Sequence, residues 1–520
     1  MAAAHREMEI KLELPAAAVD RLKRHLRGHA NLKELAQEND LTSIYFDTKR
    51  QRLHRKGFSL RVRDLGGRHV QTIKYSGNGS AGLFDRAEWE QTVEGQKPDW
   101  KAAKKTPLAA LVNKQLRAKT KPLFATRVRR TSYRLRNGRG DLKLVLDHGS
   151  IDAGSRSAPV AEIELEVENG RPTAALEFAR LGRVAQLTPA AKSKAEHGYD
   201  LLAGEPALAK SAPVPLSAKM NVELAFRAIG RECLRHVIAN RTALCRGDPE
   251  GVHQMRVGLR RLRAAISLFS EVVSDRRVAR IKAELKWLAQ ALAPARDLDV
   301  FLAEMPRMPR RLANSGAEGF RAELANRRVH AHERAEQAVG SDRFAMLLLD
   351  VAQWLEAGPW AGAGGAAARR RREQPIEDFA IDELSRRRKK IKKRASKVER
   401  LDPRRRHKLR IASKKLRYGV EFFASLFENK RMTRRRKAFL AVLRDLQSSL
   451  GGLNDIAARE QLGKAMSGKP RGRHRRMQPR RAFAAGWVTA TEEARAKPLL
   501  KGAVKASRAL RHAPRPWTGH

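Results

Sequence analysis

Acidic and basic residues alternate with apolar ones at the start of the chain. Glu7-Met8-Glu9-Ile10-Lys11-Leu12, read as a strand, puts Glu7, Glu9 and Lys11 on one face and three apolar side chains on the other. The pattern returns in Ser59-Leu60-Arg61-Val62-Arg63, Arg86-Ala87-Glu88-Trp89-Glu90, Thr126-Arg127-Val128-Arg129 and Glu162-Ile163-Glu164-Leu165-Glu166-Val167. For any one of these, a polar face turned to water is the ordinary explanation. Together they sort into carboxylates (Glu7, Glu9, Glu162, Glu164, Glu166) and cations (Lys11, Arg61, Arg63, Lys74, Arg86, Arg127, Arg129). A sheet curled with its charged faces inward encloses both sets. Carboxylate oxygens bind hard divalent cations such as Mg²⁺ or Mn²⁺, while Lys and Arg neutralise phosphate oxygens. Such a lumen suits a metal-bound triphosphate, and phosphoryl transfer to water needs chiefly positioning and charge stabilisation.

A second constellation is duplicated. His253-Gln254-Met255-Arg256-Val257-Gly258-Leu259-Arg260-Arg261-Leu262-Arg263 aligns with His407-Lys408-Leu409-Arg410-Ile411-Ala412-Ser413-Lys414-Lys415-Leu416-Arg417 at a constant offset of 154, and Phe269 aligns with Phe423 at the same spacing. On a helix, His253, Arg256, Arg260 and Arg263 fall within an arc of about 80°, beside an apolar stripe of Met255, Leu259, Leu262 and Ile266. His407, Arg410, Lys414 and Arg417 repeat the arrangement, so packing the two units together could merge two basic stripes into one groove. Neighbouring cations would repel a metal from these histidines, which leaves phosphate hydrogen bonding as their role.

The elements that position these groups follow from periodicity. Up to about Leu202 the chain alternates with period two in many short segments, and from about Leu216 it reads with helical period. An Ala- and Pro-rich stretch with Pro206, Pro213 and Pro215 separates them. The expected organisation is a strand-rich domain over 1–202, a linker over 203–216, and a helical domain over 217–512 made of two units, about 217–357 and 374–512. Gly-rich 358–365 separates the units, and a second break falls at 469–473.

Composition points to a polyanionic partner. The 520 residues carry a net charge of +52, of which +14 lies in residues 1–200 and +38 in 201–520. Self-repulsion of that size calls for a neutralising polyanion. Nucleic acid is the default reading, yet aromatics are only 5% of the chain, and there is no zinc-finger spacing, RNP-like pattern or Walker-type loop. The signal is for phosphate, with little sign of bases. Neither an apolar run of about 18 residues nor a signal-peptide core is present, so a soluble, cytoplasmic protein without a membrane partner is expected. Cys233 and Cys245 read as core thiols of a reducing compartment.

The first half resembles the CYTH, or triphosphate tunnel metalloenzyme, superfamily. The resemblance rests on Glu7-x-Glu9-x-Lys11, Tyr45-Phe46-Asp47-Thr48, Arg61-Val62-Arg63, Gln71-Thr72-Ile73-Lys74, Arg86-x-Glu88-x-Glu90, Leu146-Asp147-x-Gly149, the Glu162/Glu164/Glu166 strand, and Ser193-Lys194 before Gly198-Tyr199. It implies an antiparallel β-barrel or tunnel. Metal would be held by Glu7, Glu9, Asp147, Glu162, Glu164 and Glu166, with Glu7, Glu9 and Lys11 central to catalysis. Phosphates would be held by Lys11, Arg61, Arg63, Lys74, Arg127, Arg129 and Lys194. Arg86 joins the phosphate-binding set and is equally suited to salt bridging inside the barrel, while Tyr45 and Asp47 suit structural roles. Inorganic triphosphate is the smallest substrate common to the superfamily.

The second half resembles the CHAD domain, an all-α duplicated helical module that binds inorganic polyphosphate. Lys286-Trp287-Leu288, Arg296-Asp297-Leu298-Asp299-Val300 and Leu453-Asn454-Asp455-Ile456 extend the paired motifs. The resemblance implies an all-α bundle with Asp297, Asp299 and Asp455 fixing the basic side chains. The expected protein is a Mg²⁺- or Mn²⁺-dependent triphosphatase joined to a polyphosphate-binding module, one that polyphosphate granules could tether. A non-catalytic polyphosphate receptor is the alternative.

Overall fold

In the computed structural model the described residues are 5–518 apart from 29–31, 35–37, 76–82, 138–139, 171–185, 205–207, 305–316 and 468–478, so the expected break at 469–473 lies outside them. The first part is a ten-stranded sheet. Its strands are β1 (His5–Glu13), β2 (Leu32–Glu34), β3 (Asn39–Thr48), β4 (Phe58–Asp64), β5 (His69–Tyr75), β6 (Leu83–Val93), β7 (Thr120–Asn137), β8 (Gly140–Ala153), β9 (Arg156–Gly170) and β10 (Thr188–Pro189). Their order is β10-β1-β6-β5-β4-β3-β7-β8-β9, with β2 on β7, and the recorded pairs are antiparallel.

The sheet is tunnel-like and differs from the expected barrel in its closure. β1 has nine residues and divides them between two neighbours, pairing β6 through residues 5–10 and β9 through residues 9–13. Both neighbours are met only at Glu9 and Ile10, so the sheet is not closed as a barrel along its height. Small helices α1 (Val19–Arg27), α2 (Trp100–Ala103) and α3 (Lys114–Lys119) flank it, and α4 (Lys194–Ala203) packs against β7, β8 and β9. A capping box starts α4: Ser193 accepts from the Glu196 amide and Glu196 accepts from the Ser193 amide. Gly198 lets α4 approach Phe124, since a Cβ there would lie 2.1 Å from the ring.

The rest is helical among the described residues: α5 (Val222–Ile238), α6 (Arg241–Cys245), α7 (Pro249–Leu268), α8 (Val278–Ala291), α9 (Ala293–Glu304), α10 (Ala317–Gly340), α11 (Asp342–Ala357), α12 (Ala366–Glu373), α13 (Ile376–Ala395), α14 (Pro403–Phe422), α15 (Lys430–Ser467) and α16 (Pro479–His512). The duplicated motifs are α7 and α14. Both begin with the same chemistry, an aspartate N-cap before proline at the first helical position: Asp248 accepts from the Glu250 amide and Asp402 from the Arg405 amide. The Gly-rich stretch between the units is packed, with Trp360 fully buried.

One apolar core runs through both parts. The outward side chains Ile10, Leu12, Leu144, Leu146, Ile163 and Leu165 share a buried cluster with Phe226, Met255, Trp354 and Leu416 of the helices. Val214 and Leu216 of the expected linker are buried in it, and Ser425 accepts from the Leu216 amide. No helix of the described residues is long and apolar enough to cross a membrane.

Candidate functional site

The alternation of β1, β8 and β9 turns their acidic residues into the tunnel. Register places Glu9, Lys11 and Glu13 opposite Glu166, Glu164 and Glu162, and Asp147 opposite Glu162. Oxygens of Asp147, Glu162 and Glu164 lie within 4.8 Å of one another, and all three side chains are buried. Two ammonium groups sit among them. Lys11 Nζ lies 3.2 Å from Glu9 Oε1 and 3.7 Å from Glu162 Oε1, and it also pairs with Glu164. Lys194 reaches in from α4, 2.6 Å from Asp147 Oδ2 and 3.0 Å from Glu164 Oε1, and it pairs with Glu162. Arg130 completes the cluster, holding Asp147 through two bonds of 2.7 Å and approaching Glu164 at 3.3 Å.

These contacts set the charge states. Burial alone would raise Glu164, but Lys11, Lys194 and Arg130 hold it well below the usual carboxylate range. Asp147 is likewise brought down to about 2 against its own desolvation by Lys194 and Arg130. Glu162 moves the other way, raised by burial and by Glu164 beside it, even though both lysines oppose the shift. Buried Glu9, Asp147, Glu162 and Glu164 outnumber Lys11, Lys194 and Arg130. Clustered hard oxygen donors with an excess of negative charge fit a divalent cation such as Mg²⁺ or Mn²⁺.

Across the tunnel the lining is cationic. Lys74 pairs with Glu88 at 2.6 Å, and Arg61 lies 3.8 Å from both Glu88 and Glu90. Arg63 donates Nε to Ser43 Oγ at 2.9 Å. Burial first, then the proximity of Arg61 and Arg130, lowers Arg63 to about 10, which marks a place short of negative charge. Tyr45 stacks on Phe124 and lies beside Arg61, while buried Asp47 accepts from the amides of Thr48, Leu53 and His54 and from the Tyr199 hydroxyl.

Not every expected residue joins this lining. Arg127 and Arg129 lie on the outer face, opposite Ser150 and His148, with side chains 62% and 56% exposed; Arg127 pairs with Asp152, and Arg129 with Asp40 and Glu38. On β7 the inward positions belong to Thr126, Val128 and Arg130, because Val128 packs into the small apolar cluster with Leu41, Tyr45, Phe124 and Tyr199. Arg130 is therefore the lumen arginine that strand alternation missed. The available signal was its place one residue out of phase with the Arg127/Arg129 pair. Glu166 is on the lumen face but paired with Lys143 at 2.7 Å, outside the three-carboxylate group. Glu7 and Arg86 pair across β1 and β6, and their side chains lie outside the described residues.

In the helical part, α7 and α14 pack together and bring their basic stripes into electrostatic reach. Burial and then Arg410, Arg260 and Arg417 lower Lys414 to about 7. Among the described residues, the buried Nε atoms of Arg256, Arg260, Arg410 and Arg417 have no hydrogen-bond partner. Arg256 donates to the Ala289 carbonyl at 3.0 Å and lies 3.8 Å from Asp297. His253 is held below its ordinary value by burial, then by Arg296, Arg260 and Arg256, and His407 lies 2.8 Å from Asn454 Oδ1. Arg263 stands apart: it is exposed, about 10 Å along the axis from Arg256, and near Lys415. Asp455 faces Lys414, whereas Asp299 pairs with Arg328 and His332. Buried Arg261 bridges the units through Glu421 at 3.0 Å.

A cation- and carboxylate-lined tunnel followed by a duplicated basic bundle defines a two-part class of protein. Comparison with known families agrees: residues 5–199 match the CYTH domain and residues 228–463 the CHAD domain. The chain carries a CYTH domain followed by a CHAD domain. It is similar to an inorganic triphosphatase of Haemophilus influenzae, 26% identical over 200 residues that make up 37% of this chain and 54% of that protein. The chain thus spans about half the length of that curated relative. Among solved structures, it is similar to the CHAD domain of the plant Ricinus communis, with 29% identity, TM-score 0.49, and coverage of 59% of this chain and 98% of that one. A Hippeastrum adenylyl cyclase candidate with a dominant triphosphatase activity gives 20% identity, TM-score 0.29, and coverage of 38% and 96%.

Proposed function

We propose that the CYTH tunnel hydrolyses inorganic triphosphate with a divalent cation and that the CHAD domain binds inorganic polyphosphate. The observation that carries the first part is the buried Asp147–Glu162–Glu164 group, gripped by Arg130 and facing Arg61, Arg63 and Lys74 across one lumen. Glu9, Asp147, Glu162 and Glu164 would hold the cation, which when bound would supply Lewis-acid stabilisation of phosphoryl oxygens. Arg63 and its neighbours hold the substrate chain and spread its charge as it redistributes in the transition state. Lys11 and Lys194 neutralise carboxylates and stand ready to turn toward phosphate oxygens. Support also comes from the triphosphatase relative.

The test is phosphate release from inorganic triphosphate by the purified chain, with Mg²⁺ or Mn²⁺ and with chelator, alongside ATP and long-chain polyphosphate. Metal-dependent release selective for triphosphate is expected. Glu9→Gln should lower turnover by about 10–100-fold or more through weakened metal binding. Tight metal-dependent binding with no release would replace the enzyme by a receptor. The second part rests on the merged stripe of Arg256, Arg260, Arg410, Lys414 and Arg417, in which burial and then mutual repulsion hold Lys414 low and which a polyanion would neutralise. Placement of the domains at 1–202 and 217–512, joined by 203–216, belongs to the same proposal.

A further inference from the structure

A cavity of about 340 Å³ lies between the sheet and the helices, within the roughly 300–1,000 Å³ range of small-ligand sites. One wall carries Lys192, Lys194 and His197 with the carboxylates Glu13, Glu162 and Asp200, and the other carries Arg241 and Arg246. On the sheet side each cation has a carboxylate. Lys192 pairs with Asp200, Lys194 with Glu162, and His197 Nε2 lies 3.1 Å from Glu13 Oε1. The helical side is different. Arg241 donates Nε to the Val339 carbonyl at 3.2 Å, Arg246 is exposed, and among the described residues neither has a carboxylate within ion-pair distance. Two uncompensated guanidiniums facing a lysine and a histidine across a small cavity match an anion with oxygens on several sides.

We propose that this cavity is a second anion site, taking a small inorganic phosphate, orthophosphate or pyrophosphate, between Arg241 and Arg246 on one wall and Lys192 and His197 on the other. It goes beyond the tunnel reading and does not need the tunnel to turn over. Lys194 and Glu162 belong both to the cavity wall and to the carboxylate cluster. An anion in the cavity competes with Glu162 for Lys194 and so bears on the tunnel from outside.

The experiment is calorimetric titration of the metal-free 520-residue chain with orthophosphate and, in a separate arm, with pyrophosphate. Arg241→Ala/Arg246→Ala should remove one binding event, or weaken it at least about tenfold, for whichever phosphate the cavity takes, and should leave triphosphate turnover without added phosphate unchanged. Arg246→Glu, a single exposed reversal that spares the core, should do the same. Arg130→Ala, a tunnel variant, should keep that event, which separates failure of the tunnel reading from failure of this one. Isotherms for both arginine variants identical to wild type, in both arms, would overturn the proposal.

Discussion

Arg129 and Arg130 are adjacent, yet a single position decides their chemistry. Arg129 faces solvent and is held by Asp40 and Glu38, whereas Arg130 grips Asp147 inside the tunnel. Arg130→Ala should lower kcat/KM for triphosphate by about a hundredfold or more, the scale for losing one preorganised charge-stabilising donor. Arg129→Ala, an exposed surface change, should stay within about twofold; equal losses in both would place the lumen on the wrong face of β7. The Asp147 carboxyl supplies a second prediction. Its folded-state pKa of about 2 lies below the ordinary 3.8, so its contribution, about 2 kcal/mol, is fully present above about pH 4 and is lost as pH falls through about 2. Acid titration of unfolding free energy should show that slope in wild type, and Asp147→Asn should flatten it between pH 4 and 2. Alternation marked Glu9, Lys11, Arg61, Arg63, Glu162 and Glu164 as sharing faces with their partners, and the tunnel collects them. It could not say which face of Thr126-Arg127-Val128-Arg129 turns inward. That depends on Val128 finding Leu41, Phe124 and Tyr199, neighbours remote in the chain.

At the scale of elements, α4 carries Lys194 to three carboxylates. Its seat is the Phe124 ring, which stacks on Tyr45 at 4.6 Å and meets Tyr199 edge-on at 5.1 Å. A methyl at Gly198 would enter that ring, so Gly198→Ala must push α4 outward or displace Phe124. The expected cost is about 1–3 kcal/mol of overpacking, read as a lower unfolding midpoint, together with reduced triphosphate turnover as Lys194 withdraws. An unchanged midpoint would mean that α4 shifts freely and does not fix the lysine. The Ser193-Lys194 signal for this helix was legible as a motif, and its capping box follows from Ser193 and Glu196 three residues apart. Its contact with Phe124, about 70 positions away, was not. Sheet closure was misjudged for a related reason. The strand pattern shows which residues alternate, while how β1 shares nine residues between β6 and β9 is set by register alone.

Over the whole molecule, the excess of +38 in residues 201–520 was legible, as was the duplication that places much of it on two matching helices. Their convergence was less so, because it depends on α7 and α14 packing in one core with Met255, Leu259 and Leu416. The consequence of convergence is concentrated at Lys414, where burial and then Arg410, Arg260 and Arg417 outweigh Asp455 and depress the ammonium to about 7. A bound polyanion restores the charged form, so the pKa in the complex lies above that of the unliganded protein. Affinity from Lys414 is then complete below about pH 7 and fades as pH rises through the bound value. Binding of long-chain polyphosphate at about pH 7.5–8 should therefore take up protons, seen as different calorimetric heats in two buffers of unlike ionisation enthalpy. Lys414→Arg, with a side chain charged throughout this range, should keep the affinity and abolish that component of the buffer difference. Equal heats for wild type in both buffers would place Lys414 outside the face that meets the polyanion.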